Sequence, residues 1–293
     1  MTSINKNSSR EDVLKAVKTY GLDLLSADER FKTDREIVLA AVKSFGSIFE
    51  DIDKSLQTDR EVVLEAVKST GDVLQDVDDR FKSDREIVLA AVKSNGMAII
   101  YASDELKADR EVVLEAVKAK ISNLYFASDK LKADRDFILS VVKSNGDALK
   151  DASNELKADR EVVLEAIQQT GWALQYASED LKSDRELMFA AIKSEDGTDG
   201  SLLEYFKNDR EVLLAALLKK PLAFKYASEE LKANREFVLT VVRIRGYALR
   251  DASDELKADR EVVLEAVKRS GIALQFASDA LQADPELIKI SKQ

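Results

Sequence analysis

Asp159-Arg160-Glu161-Val162-Val163-Leu164-Glu165-Ala166 is the stretch that decides the fold. The same arrangement recurs along the chain, with Arg10, Arg35, Arg60, Arg85, Arg110, Arg135, Arg160, Arg185, Arg210, Arg235 and Arg260 each 25 residues from the next. No insertion or deletion disturbs the spacing. Self-similarity at a fixed short period is the mark of a repeat architecture.

Each feature of the stretch reads as part of a short helix. The residue before the arginine is Ser9, Asn234 or an aspartate such as Asp34, all good helix N-caps. Pro285 stands where the twelfth arginine is due and suits the first helical position. The next residue is acidic in all twelve copies, Glu11 to Glu286, matching the positive end of the helix dipole. Nine of eleven copies carry Lys or Arg near the other end, as at Lys43 and Arg243. Between these ends the pattern is Val-Val-Leu-x-Ala-Val, too apolar for a helix with a single neighbour.

Glycine follows in eight copies, for example Gly21, Gly46 and Gly71. It is expected to end the helix in the left-handed conformation. The next stretch, Ala148-Leu149-x-x-Ala152-Ser153-x-x-Leu156, repeats apolar and small residues in a way that reads as a second helix. One repeat is then two helices of roughly ten residues. Isolated helices need about 12–15 residues, so these must stack to persist.

The expected fold is all-α: an α-solenoid, or superhelix, of eleven 25-residue helix-turn-helix repeats with a C-terminal half-repeat cap. A single repeat domain would span 1–293, with repeats beginning near 9, 34, 59, 84, 109, 134, 159, 184, 209, 234 and 259 and the cap at 284–293. Copies also alternate. Those at 59, 109, 159 and 259 have Glu after the central leucine, and most of the others have Ala, Ser or Thr. A duplicated 50-residue pair explains this with least; layers presenting different surfaces would be the other account.

Leu156-Lys157-Ala158-Asp159-Arg160-Glu161-Val162-Val163-Leu164-Glu165-Ala166, with Gly171-Trp172-Ala173-Leu174-Gln175-Tyr176-Ala177-Ser178, resembles the repeat family catalogued as domain of unknown function 4116. That family forms multi-copy arrays in protists, including algae, and in some intracellular bacteria. The resemblance covers nearly the whole chain. It implies a repeat array and brings no established activity or catalytic residues. An origin in bacteria that live inside host cells would suggest a secreted effector acting on host proteins by binding.

Composition narrows the chemistry. The chain has no histidine and no cysteine, which removes a Ser-His-Asp triad, thiol catalysis and nearly all zinc sites. No phosphate-binding loop or dinucleotide fingerprint is present. Carboxylates fall at helix starts and exposed faces, not in an evident cleft. The expectation is a non-enzymatic protein with no cofactor. A formal charge of −10 sets general binding of nucleic acid or anionic membranes at a disadvantage. The polar segment from Met1 to Arg10 has no leader-like apolar stretch, and no run is long enough to span a bilayer. A soluble intracellular (cytoplasmic) protein is expected; export without a cleaved leader would leave no mark.

Three features are candidates for function. Arg35, Arg60, Arg85, Arg110, Arg135, Arg160, Arg185, Arg210, Arg235 and Arg260 would line one edge and hold phosphates or carboxylates, or would pair with the neighbouring acids as a ladder between layers. The ladder is the simpler reading. Tyr101, Phe126, Tyr176, Tyr226 and Phe276 share one position, where other copies have Asp51, Asp76, Asp151 or Asp251. With Trp172 and Tyr247 they form a candidate interaction surface, and packing against the next layer is the plainer alternative. Finally, Glu195-Asp196-Gly197-Thr198-Asp199-Gly200 breaks the pattern, with Ser201 expected to cap a shortened helix. This segment is acidic and glycine-rich but lacks calcium-loop spacing, so a surface loop is the simpler account. Together these readings favour an interaction scaffold for other proteins. Nucleic-acid or anion binding along the arginine row is the alternative.

Overall fold

The computed structural model describes residues 4–293; Met1, Thr2 and Ser3 of the polar N-terminal segment lie outside the described residues. Among the described residues every regular element is helical, and no helix is long and apolar enough to cross a membrane. The chain forms two compact units, residues 1–141 with 151–153, and residues 142–150 with 154–293. Each is an α-solenoid stack in which consecutive copies pack helix on helix.

The copy beginning at Asp34 shows the unit. Asp34 accepts hydrogen bonds from the backbone N–H groups of Glu36 and Ile37 and starts the helix Arg35–Ser44. Glu36 in its first turn and Lys43 in its last suit the helix dipole. Ile37, Val38, Ala41 and Val42 are completely buried. Burying one such aliphatic side chain contributes about 1.5–3 kcal/mol, which is how a ten-residue helix persists.

Where a second helix of similar length was expected, the structure has two shorter pieces. A 3-10 helix, Gly46–Asp51, is followed by extended Ile52 and then the single turn Lys54–Gln57. The break has a local cause. Asp53 takes a hydrogen bond from Ser55 N–H and so caps a new turn instead of continuing the old one. Ser128, Ser178, Ser228 and Ser253 cap the corresponding turns. The backbone N–H of this capping residue also donates to the previous copy, as from Ser128 to Lys107 O (2.9 Å) and from Ser253 to Lys232 O (2.9 Å). A backbone seam therefore ties neighbouring layers.

The glycine expectation is also corrected. Among the described residues the only glycine with positive φ is Gly197, at 70°. The long helix instead leaves through an extended residue, Phe45 at φ −151°, and Gly46 opens the 3-10 helix. Its need for a bare Cα comes from the next layer. A Cβ on Gly46 would lie 2.4 Å from Ala66 O, and one on Gly71 would lie 2.4 Å from Ala91 O.

The broken copy is held in place. Its long helix, Arg185–Lys193, ends at Ser194, whose Oγ donates to Ala191 O (2.8 Å) and Gly197 O (3.2 Å). Glu195 and Asp196 are exposed, but Gly197 and Thr198 are buried. Asp199, not Ser201, is the cap of the 3-10 helix Gly200–Phe206, accepting from Ser201 N–H and Oγ–H. Its carboxylate reaches the free N–H two residues on, and Leu202 and Leu203 are buried in this copy, where position 199 lacks the leucine of the others.

Candidate functional site

The arginine row is a ladder. In the N-terminal unit Arg10 Nε donates to Asp34 Oδ2 (2.6 Å) and its Nη2 to Glu36 Oε2 (2.7 Å). Arg35 engages Asp59 and Glu61 the same way (2.7 and 2.6 Å), and Arg60 engages Asp84 and Glu86 (2.8 and 2.6 Å). Arg85 continues it on Asp109 and Glu111. In the C-terminal unit Arg160 grips Asp184 and Glu186, Arg185 grips Asp209 and Glu211, Arg235 grips Asp259 and Glu261, and Arg260 grips Asp284 and Glu286. Arg135 holds the same register position at the start of Arg135–Val142.

Each rung uses one aspartate twice: it caps its own helix and receives the guanidinium of the preceding copy. The bonded arginine holds the carboxyls of Asp34, Asp59, Asp84, Asp109 and Asp259 below the usual range. The same carboxylates raise the arginines further. Two carboxylates per guanidinium leave these rungs little charge to offer an outside anion.

The ladder thins at two places. Asp136 is too short to do what glutamate does, and Arg110 makes only a 3.4 Å contact with Asp134 while lying over the Phe137 ring (5.6 Å). At the other, Asn234 replaces the aspartate. It still caps its helix through Phe237 N–H (3.0 Å), but among the described residues Arg210 has no carboxylate within hydrogen-bond distance and lies over Phe237 (5.6 Å).

The Glu-or-Ala alternation produces two kinds of interface. Glu65 lies between Lys68 (2.8 Å) of its own copy and Lys43 (3.8 Å) of the preceding one. Glu265 is held between Lys268 (3.0 Å) and Arg243 (2.9 Å), and these cations pull its carboxyl below the usual range. At Ala40 and Ala90, where alanine takes this place, the bridge is gone and a groove opens. One, of about 380 Å³, runs between Leu14, Leu39 and Ala40, with Lys18 and Lys43 at its end. Its equivalent fifty residues on, of about 410 Å³, runs between Leu64, Leu89 and Ala90, with Lys68 and Lys93. Sequence reasoning saw the alternation but not these grooves, because their walls come from two copies.

The aromatic candidates are dispersed. Tyr101, Phe126, Tyr176, Tyr226 and Phe276 are half-buried, one per copy. Tyr101 Oη donates to Gln75 of the preceding copy (2.7 Å), and Phe126 packs edge-on against Tyr125. Tyr247 and Phe276 are brought together, edge to face at 4.9 Å. Trp172 is 40% exposed, with Lys220 over its ring. Of the segment Glu195 to Gly200, Asp199 makes the cap described above. No group of three or more Asp or Glu is gathered to hold a metal among the described residues.

The family model described as Domain of unknown function (DUF4116) matches residues 9–57, 59–107, 109–157, 159–208, 197–232, 209–257, 234–282 and 259–290. Five of these matches begin fifty residues apart, at 9, 59, 109, 159 and 209, the period of the alternating interfaces. No curated protein and no solved structure matches the chain.

Proposed function

We propose that this chain, which belongs to the Domain of unknown function (DUF4116) family, works without catalysis as a scaffold that binds other proteins along its repeat surface. The observation that supports this reading is the recurrence of one groove at the same place in two successive pairs of copies. Each has a leucine-and-alanine floor beside two lysines, with Glu36 or Glu86 at its wall; an apolar side chain suits the floor and a carboxylate suits the lysine end. Two layers at roughly 8–10 Å each set the grooves about 20 Å apart, a distance an extended chain covers in about six residues. Weak anchors repeated along one partner reinforce each other through effective concentration. The soluble interior of the cell is the setting that fits this reading.

The test uses the bridged interfaces as its template. Ala40→Glu together with Ala90→Glu would place a carboxylate between the flanking lysines, as Glu65 does naturally. The variant should melt like the wild type yet lose a partner that co-purifies stoichiometrically with the wild type from the native source. Absence of any stoichiometric partner, or its full retention by the variant, would sink the proposal.

A further inference from the structure

The copies beginning at 209 and 234 carry several departures from the common pattern, and these collect on one edge of the C-terminal unit. Residues 211–250 hold eight Lys or Arg, four Glu and no Asp, in a chain whose net charge is −10. On this edge Lys219 Nζ donates to Ser194 O (3.2 Å), Arg245 Nη2 to Leu218 O (3.1 Å) and Arg269 Nε to Ile244 O (3.1 Å). Each cation is thereby held at the negative end of a helix in the preceding copy. Lys220 reaches across the broken copy to lie 5.0 Å from the Trp172 ring. The lysine stem passes beside Gly197, where a Cβ would lie at ordinary contact distance, 3.7 Å from Lys220 Cε.

Apolar side chains project between these cations. Leu218 is 63% exposed, Leu222 45%, Ile272 60% and Trp172 40%. Leu218 occupies a position that is Lys or Arg in nine copies, so the apolar residue replaces a charge.

We propose that this edge docks peripherally on an anionic lipid surface, with Leu218, Leu222 and Ile272 entering the headgroup boundary and Lys219, Lys220 and Arg269 facing the lipid charges. Projecting aliphatic tips flanked by basic residues are the chemistry of interfacial attachment, and an indole at the same level suits the interface. A nucleic-acid strand would instead need open aromatic faces for stacking. Here Trp172 is covered by Lys220, and Tyr247 is packed against Phe276 with Arg250 over its ring. Asp199 shares part of the charge of Lys220, while acidic faces more than about 8–10 Å away are screened at physiological salt.

Trp172 is the only tryptophan and reports directly on the edge. The full chain is titrated at low salt with phosphatidylcholine vesicles, with and without phosphatidylserine, following its emission and co-sedimentation. A blue shift and sedimentation are expected with the anionic vesicles alone, fading as salt is raised. Leu218→Ser with Leu222→Ser should weaken binding on the order of tenfold or more at an unchanged melting midpoint, with Ile272→Ser as an independent second variant. Lys219→Gln with Lys220→Gln should weaken it and flatten its salt dependence. The Ala40→Glu, Ala90→Glu variant should bind vesicles normally, so failure of the groove reading and failure of this one are separable. No binding to anionic vesicles, or binding indifferent to the leucine and isoleucine variants, overturns the proposal. Binding of single-stranded RNA or polyglutamate in place of vesicles, lost in these same variants, also overturns it.

Discussion

Gly46 and Ala66 belong to neighbouring copies, and they approach so closely that a Cβ on Gly46 would sit 2.4 Å from the Ala66 carbonyl oxygen and 2.8 Å from Thr70 Oγ1. Gly46 N–H meanwhile donates to Ser69 Oγ of the same neighbouring copy (3.0 Å). The glycine is therefore an interlayer contact. Gly46→Ala should destabilise the protein by about 1–3 kcal/mol, the usual cost of overpacking a filled site. A urea midpoint equal to that of the wild type would show that the layers separate without cost.

The double use of aspartate can be taken apart at Asp84, which caps Arg85–Ser94 and receives Arg60. Asp84→Ala removes both roles, and loss of a cap alone costs about 1 kcal/mol. Asp84→Asn keeps a side-chain oxygen for the cap, as Asn234 does, and removes only the charge. Its melting midpoint should lie between those of wild type and Ala, and high salt should narrow its gap to wild type. Conversely, Asn234→Asp should raise the midpoint at low salt by giving Arg210 its missing partner. Identical midpoints for Asp84→Asn and Asp84→Ala would mean that the cap carries nothing.

Acid should unfold the chain through the same aspartates. The carboxyls of Asp34, Asp59, Asp84, Asp109 and Asp259 lie lower in the folded protein than the unfolded value of about 3.9. A depressed folded value stabilises above the unfolded pKa and is lost as pH falls through the folded one. With no histidine present, urea midpoints should be nearly level between about pH 6 and 8 and drop below about pH 4. A steep change near neutrality would contradict the ladder as the main pH-sensitive element.

Thr198 occupies the place that alanine holds in Ala148, Ala173 and Ala248. It is 1% exposed, and its hydroxyl has no hydrogen-bond partner among the described residues. Thr198→Ala should therefore stabilise the broken copy, by about 1 kcal/mol. A lower midpoint in the variant would show that the hydroxyl has a role the packing does not display.

Several elements were legible because they are settled within one copy. The cap at Asp159, the acid at Glu161 and the apolar run Val162, Val163, Ala166 and Ile167 describe Arg160–Gln169 almost residue by residue. The run Ala248-Leu249-x-x-Ala252-Ser253-x-x-Leu256 fits one helical face, but Ser253 caps a new turn, and periodicity does not register a capping side chain that restarts the turn. The grooves beside Ala40 and Ala90 were invisible for another reason: an alanine looks unremarkable until the lysines and leucines of two layers are set around it.

The amino-acid sequence by itself determined the 25-residue unit, its helical character and its tandem stacking, since capping, dipole and periodicity act over a few residues. Only the tertiary structure decided why glycine is required, which acids each arginine holds, and where alternation opens a groove. Those outcomes depend on contacts between residues some 20 to 26 positions apart, such as Gly46 with Ala66 and Arg10 with Glu36. They are set by how closely two layers approach, a distance that no single copy encodes.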